Sequence, residues 1–386
     1  MGAYNTGDNG IISGMGRNSM KKILMHKNIE VARLAVRYGK IVGCMEIFNM
    51  DHMPVGTHTK HHQMIVPLLQ SWQSMRTIPD GRDGLADLIH NIGAAPYEAA
   101  IRSRGLSLTD CYWFKDIDED LRWEEVSFAK KGFSSDVSGV LDAAKENSDI
   151  DSICISPDFS TDGMLKKTWV CINGIPSLVK AAKLGFEYAC ANEVIASRIA
   201  DLIGVSHVPY FLLKLRSGRI ACICPSFIPD DSSEYVCSLA YSHEFFGESR
   251  TLYERLTRIG LESFLQKMIA FDLLIGNTDR HEKNFGFLRN PDTLDILGPA
   301  PLFDSGLCLQ RKFLNIDGMK PFGNDRASAM KYLKSLPFDL PGPDILASII
   351  SDVYVASGLD GRIQGSINEI LENREELIKY VGAPNE

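Results

Sequence analysis

No apolar run in these 386 residues approaches the roughly 20 needed to cross a bilayer. The opening residues also lack the apolar stretch of about 7 to 15 residues that a secretion signal requires, so residues 1–20 are expected to be a flexible leader. Met1-Gly2 with Thr6 only brushes a myristoylation pattern. Nine cysteines are present without paired short spacings, and the one close pair, Cys222 and Cys224, shares a single strand-like run. That indicates neither a disulfide framework nor a zinc site, and points to a reduced, cytoplasmic chain. Basic charge is scarce, with 41 Lys and Arg against 49 Asp and Glu, a formal net charge of -8. Broad nucleic-acid binding by the chain itself is therefore not expected, although a DNA-binding partner stays open. There is no internal repeat or low-complexity tract. The histidines at 58, 61 and 62 lack cysteine or carboxylate neighbours at ligand spacing, so they read as the exposed start of a helix rather than a metal site.

What the chain does have is concentrated at residues 271–309, FDLLIGNTDRHEKNFGFLRNPDTLDILGPAPLFDSGLCL. An apolar helix, 264–275, leads into a polar loop carrying Asp279 and, five residues on, Asn284; a short apolar stretch, 301–303, is expected to be a buried strand delivering Asp304. This order suits phosphoryl transfer. One aspartate accepts or orients a hydroxyl proton, while an asparagine and a second aspartate offer the hard oxygens that magnesium takes from protein. Each residue alone has an ordinary reading as a cap or turn. Their combination between an apolar helix and an apolar strand does not.

The loop and strand together resemble the HipA-like serine/threonine kinase family, with its catalytic D-x-H-x-K-N and its P-x-[YF]-D. Here these read Asp279-Arg280-His281-Glu282-Lys283-Asn284 and Pro301-Leu302-Phe303-Asp304. The resemblance implies an ATP- and Mg2+-dependent kinase in which Asp279 is the base or orienter, Asn284 and Asp304 hold metal, and His281 and Lys283 support the loop, Lys283 reaching the transferring phosphate.

A kinase also needs a lysine for the phosphates and a glutamate to hold it. Residues 166–172 read as a strand, Asn173-Gly174 as a hairpin turn, and the returning strand carries Lys180, with Lys183 the runner-up. A helix over 188–203 follows with Asn192-Glu193, and strand-lysine, helix-glutamate, catalytic loop is the kinase order. Residues 207–215 and 219–224 form a second hairpin, and residues 223–227 fall where a hinge would bind adenine through its backbone. The phosphate-covering segment, 156–164 (SPDFSTDGM), has one glycine instead of a glycine-rich loop. In the family a serine of this loop can be autophosphorylated, which puts Ser160 and Thr161 forward as switch hydroxyls near the nucleotide.

The expected architecture is α+β. A two-lobed protein-kinase-like fold over 149–386, with a small β-rich lobe and a larger helical lobe, follows an N-terminal α+β accessory domain at 21–148. In that domain 23–48 reads as two or three strands, 61–76, 84–92 and 134–144 as helices, and the aromatic stretch 105–115 with Trp123 as a docking surface. Residues 145–151 mark the boundary. The C-terminal helices, broken at 358–361, should bury Ile345, Ile349, Ile350 and Val353, then Ile363, Ile367, Ile370, Leu371 and Leu377. The expected substrate is a protein serine or threonine, and family likeness adds a toxin–antitoxin role with a DNA-binding antitoxin as partner. The alternatives are a kinase for a lipid or small molecule, and a non-catalytic ATP-binding scaffold.

Overall fold

The structure, a computed structural model, describes residues 19–59, 61–77, 94–131, 166–182, 185–245, 248–311, 320–323 and 325–382. The expected helices at 84–92 and 134–144, the boundary at 145–151, Lys183, and Ser160 and Thr161 lie outside the described residues.

Three consecutive runs of alternating residues form β1 (Met20–His26), β2 (Ile29–Arg37) and β3 (Lys40–Ile47), and β4 (Tyr112–Asp116) adds to β1, giving an antiparallel sheet of order β3-β2-β1-β4. Alternation decides the two faces. Leu24 and Leu34 join Ile65, Leu69 and Trp72 of helix α1 (His62–Ser74), whereas Ile23 and Met25 pack with Trp113, Trp123 and Phe128.

The next four-stranded antiparallel sheet has order β5-β6-β8-β7, from β5 (Lys166–Ile172), β6 (Ile175–Ala181), β7 (Phe211–Lys214) and β8 (Ile220–Pro225). The β5–β6 turn is Asn173-Gly174, with φ of 51° and 81°, a backbone those two residue types tolerate best. A third sheet, of order β11-β10-β9, is built from β9 (Glu234–Cys237), β10 (Gly286–Arg289) and β11 (Ile296–Pro299). The larger body is helical. Helices α2 (Glu187–Leu202), α3 (Glu262–Ile275), α4 (Pro343–Ser357) and α5 (Ile363–Gly382) share the main apolar core, with α3 buried along most of its length. None of the described helices is long and apolar enough to cross a membrane.

Two expectations need correcting. Residues 301–303 are not a strand: Leu302 forms one parallel bridge with His207, and the prolines at 299 and 301 deprive its flanks of the N–H groups a ladder needs. Ile345 is 50% exposed, because α4, starting at Pro343, turns Leu346, Ile350 and Val353 inward instead.

Asn192 joins three parts of the helical body. Its amide donates to the carbonyls of Gly306 (3.2 Å) and Cys308 (2.5 Å), and its oxygen accepts from the Tyr354 hydroxyl at 2.7 Å. Asn192→Ala strands those buried groups, and each lost partner costs ~1–3 kcal/mol. A loss of ~2–5 kcal/mol in urea unfolding is expected.

Candidate functional site

Lys180 lies on β6, an internal strand, between Lys167 of β5 and Cys222 of β8. Its neighbours Val179 and Ala181 belong to a small apolar cluster on the sheet's other face. Pleating therefore sends the Lys180 side chain towards α2, where it is only 3% exposed. A lysine in that position needs anions. Its Nζ is 2.5 Å from Oε1 of Glu193 on α2 and 2.7 Å from Oδ1 of Asp304, and it donates to the Tyr210 hydroxyl at 3.1 Å. All three donors of the ammonium are thus engaged.

Glu193 uses its second oxygen to accept from the Ser305 amide at 2.8 Å, which ties α2 to the residue after Asp304. Asp304 takes a left-handed backbone, φ 60°, an unusual state for a residue with a side chain. Gly306 has to be glycine, since a Cβ there would meet the Ala189 carbonyl oxygen at 2.9 Å.

The electrostatics follow from one cation serving two carboxylates. Burial disfavours the ammonium, but Asp304 and Glu193 outweigh it and hold the Lys180 pKa well above its ordinary value. Burial also opposes ionisation of Asp304, and Lys180 with Lys167 outweighs that, keeping Asp304 far below the usual carboxylate range. Glu193, the deeper of the two, moves up, because burial there exceeds the pull of Lys180.

The loop from α3 to β10 is braced from beneath by an ion pair. Arg280 is fully buried; its Nε and Nη2 each lie 3.0 Å from the two oxygens of Asp272 on α3. The same guanidinium donates to the carbonyls of Asn284 (3.2 Å) and Phe303 and to the Ser305 hydroxyl (3.0 Å). One side chain thereby fixes both ends of the loop against the segment bearing Asp304. Asn277 also donates to Asp272, at 2.9 Å. Above this base, the His281 amide bonds the Asp279 carbonyl at 2.8 Å and the Asn284 amide bonds the His281 carbonyl at 2.9 Å. The Asp279 pKa is raised, chiefly by burial and further by Asp304, against the pull of His281.

Lys180, His281, Lys283, Asn284 and Asp304 line one cavity of about 710 Å³, together with residues 224–227. That is the size of a site for a drug-sized or nucleotide-sized ligand. Phe227 and Phe303 stack in its wall, centroids 5.4 Å apart. Of the expected hinge groups, the Ser226 amide is already committed to the Pro176 carbonyl at 2.7 Å. Asn284 and Asp304 offer the oxygen donors magnesium prefers, and buried Nδ1 of His281 has no hydrogen-bond partner, so the site fits a nucleotide with its metal. Among the described residues no group of three or more His, Cys, Asp or Glu is arranged as a metal cage. Elsewhere His58 pairs with Glu244 at 2.6 Å and His62 opens α1.

The structure therefore brings Lys180, Glu193 and Asp304 into contact and sets His281, Lys283 and Asn284 on the same cavity, with Asp279 on the same loop but outside the cavity's lining. Sequence reasoning missed Tyr210, Asp272 and Arg280. A signal for two of them was present: Asp272 sits in an otherwise apolar helix, a buried carboxylate that needs a cation, and Arg280 is the next arginine along the chain.

No protein-family model matches the chain. The serine/threonine-protein kinase CtkA of Helicobacter pylori (strain J99) is 28% identical over 141 residues, which cover 33% of this chain and 42% of that protein. The chain thus matches less than half of that relative's length. Among solved structures, the Helicobacter pylori proinflammatory kinase CtkA superposes with a TM-score of 0.43 at 19% identity, over 56% of this chain and 94% of that one. HipA of Shewanella oneidensis MR-1, solved with HipB and its operator DNA, superposes with a TM-score of 0.54 at 16% identity, over 93% of this chain and 98% of that one. The HipA likeness spans nearly both chains and shows the fold. The chain thus has the fold of HipA and, over 141 residues, is similar to a serine/threonine-protein kinase.

Proposed function

We propose that this chain transfers the γ-phosphoryl group of ATP to a serine or threonine hydroxyl of a protein. The observation that carries the reading is the ammonium of Lys180, held between Glu193 and Asp304 at the edge of a cavity that also takes in Asn284 and Lys283. Bound ATP with magnesium supplies the transferable phosphoryl group. In this reading Lys180 holds the α- and β-phosphates and Glu193 keeps it in place. Asn284 and Asp304 give their oxygens to the metal. Asp279 takes or orients the acceptor's hydroxyl proton as the new O–P bond forms and ADP leaves, and Lys283 stabilises charge on the phosphoryl oxygens. Arg280 keeps these groups in register from below.

The partner class rests on the structural neighbour: HipA of Shewanella oneidensis was solved with HipB and operator DNA, which supports a DNA-binding antitoxin as partner and a toxin role here. Autophosphorylation at Ser160 or Thr161 belongs to the same proposal and rests on their position before β5.

Intact mass after incubation with ATP and magnesium tests this directly. The native chain should gain phosphate, while Asp279→Asn and Asp304→Asn should not, with rate losses of roughly 10²-fold or more. Mapping the phosphate to Ser160 or Thr161 would establish the switch. Nucleotide binding with no transfer, either to the chain or to a serine/threonine peptide library, would overturn the reading in favour of a nucleotide-binding scaffold.

The acid limb of the rate should also be displaced. Asp279 must be ionised to take a proton, and burial raises its pKa, so activity should fall at a higher pH than free aspartate would impose. A pH–rate profile reads this. Lys180→Met should cost ~3–5 kcal/mol of stability at neutral pH by leaving two carboxylates without their cation. With that cation gone, both carboxylates have raised folded-state pKa values, so the loss should shrink as pH falls and they take up protons; urea unfolding at pH 7 and pH 5 checks the sign.

A further inference from the structure

Strand β9 stands between two parts of the molecule. On one side is the N-terminal sheet. The Tyr235 amide donates to the Thr109 carbonyl at 2.7 Å. Glu234 Oε2 lies 3.0 Å from His26 Nε2 on β1, and Glu234 Oε1 accepts from Arg289 Nε at 2.7 Å. Arg289 in turn donates to the Tyr112 hydroxyl on β4 at 3.0 Å. His26 stacks on Tyr112 with ring centroids 4.3 Å apart, and its Nδ1 is 2.8 Å from Nδ1 of His52. His26, Tyr112, Glu234 and Arg289 are all buried.

On the other side is the loop that carries Asp279 and Asn284. The Tyr235 hydroxyl donates to the Lys283 carbonyl at 3.0 Å. Immediately after β9 the Ser238 amide bonds the Phe285 carbonyl at 2.9 Å, and the Leu239 amide bonds the Glu282 carbonyl at 3.0 Å. No slack exists between the two strands at this point, since a Cβ on Gly286 would come within 2.0 Å of the Val236 carbonyl oxygen.

Two adjacent residues of one short strand thus hold the N-terminal sheet and the catalytic loop. Withdrawing the sheet would take from Glu234 its His26 donor and from the Tyr235 amide its acceptor, in a place where unpaired polar groups are costly. A close-packed strand fastened on both flanks passes such a displacement on.

We infer that the N-terminal sheet positions the catalytic loop through β9, with Glu234 and Tyr235 as positioning residues for residues 279–284. Its consequence for rate rests on the phosphoryl-transfer reading; the mechanical coupling does not.

Hydrogen–deuterium exchange on the full chain separates the two. Tyr235→Phe keeps the ring and removes only the bond to Lys283, so the amides of residues 281–286 should exchange about 5- to 10-fold faster. His26→Gln is the decisive variant, because His26 touches none of those residues; it should speed exchange in the same segment. Lys22→Ala, which breaks a 2.6 Å ion pair with Asp116 inside the N-terminal sheet, should leave that segment unchanged. For transfer, Tyr235→Phe should lower kcat while the Kd for ADP stays within about twofold, a split that a general loss of folding would not produce. If His26→Gln alters exchange only within the N-terminal sheet, the coupling is wrong. If the native chain transfers no phosphate, the kinase reading fails, and the exchange result still decides the coupling.

Discussion

The buried ammonium of Lys180 is the constraint around which the rest of the site is arranged. A lysine 3% exposed on an internal strand is tolerable only with carboxylates beside it, and its two partners come from different places: Glu193 from α2 and Asp304 from the stretch after β11. The β-rich lobe, the helix beneath it and the segment leaving the third sheet are therefore joined at one nitrogen atom. The excess negative charge is divided unequally. Asp304, 33% exposed, carries it towards the cavity, whereas Glu193 is held deeper and resists ionisation. A carboxylate facing open space is ready to meet a cation.

A second buried ion pair, Arg280 with Asp272, does for the loop what Lys180 does for the lobes. Arginine suits this task because its planar fork satisfies a carboxylate with two donors and still reaches three further acceptors. A lysine there would place one charge at one point and leave the Phe303 and Asn284 carbonyls without donors. The pair is also why the polar loop after α3 has a defined shape while standing next to one of the most apolar helices of the chain.

The N-terminal sheet is more than a neighbour in this arrangement. Several of its contacts with the rest of the chain are polar and specific: His26 with Glu234, Tyr112 with Arg289, Trp123 with Asp231 and Thr109 with Tyr235. Buried polar contacts have one favourable geometry, unlike apolar contacts that slide, so they fix where the sheet sits and where β9 sits with it. The same cavity that holds Lys180 and Asn284 reaches residues of the N-terminal part, among them Trp72 and Arg76.

Local signals in the sequence determined a good deal. Alternation and turn chemistry marked β1 to β3 and the β5–β6 hairpin, because strand period and the left-handed tolerance of Asn173-Gly174 are properties of a few adjacent residues. Periodicity marked α1 to α5 for the same reason, although the phase of α4 was misjudged at Ile345, where only the packing partner decides which residue turns inward. The order of Lys180, Glu193, Asp279, Asn284 and Asp304 was also readable. Tertiary structure alone decided that the Lys180 nitrogen bonds Asp304 from 124 residues away, that Arg280 lies beneath the loop, and that β9 is held by His26 from 208 residues upstream of Glu234. Those pairings come from how sheets and helices stack, and the free energy that selects them is the cost of leaving a buried charge or donor without a partner, which no short stretch of sequence contains.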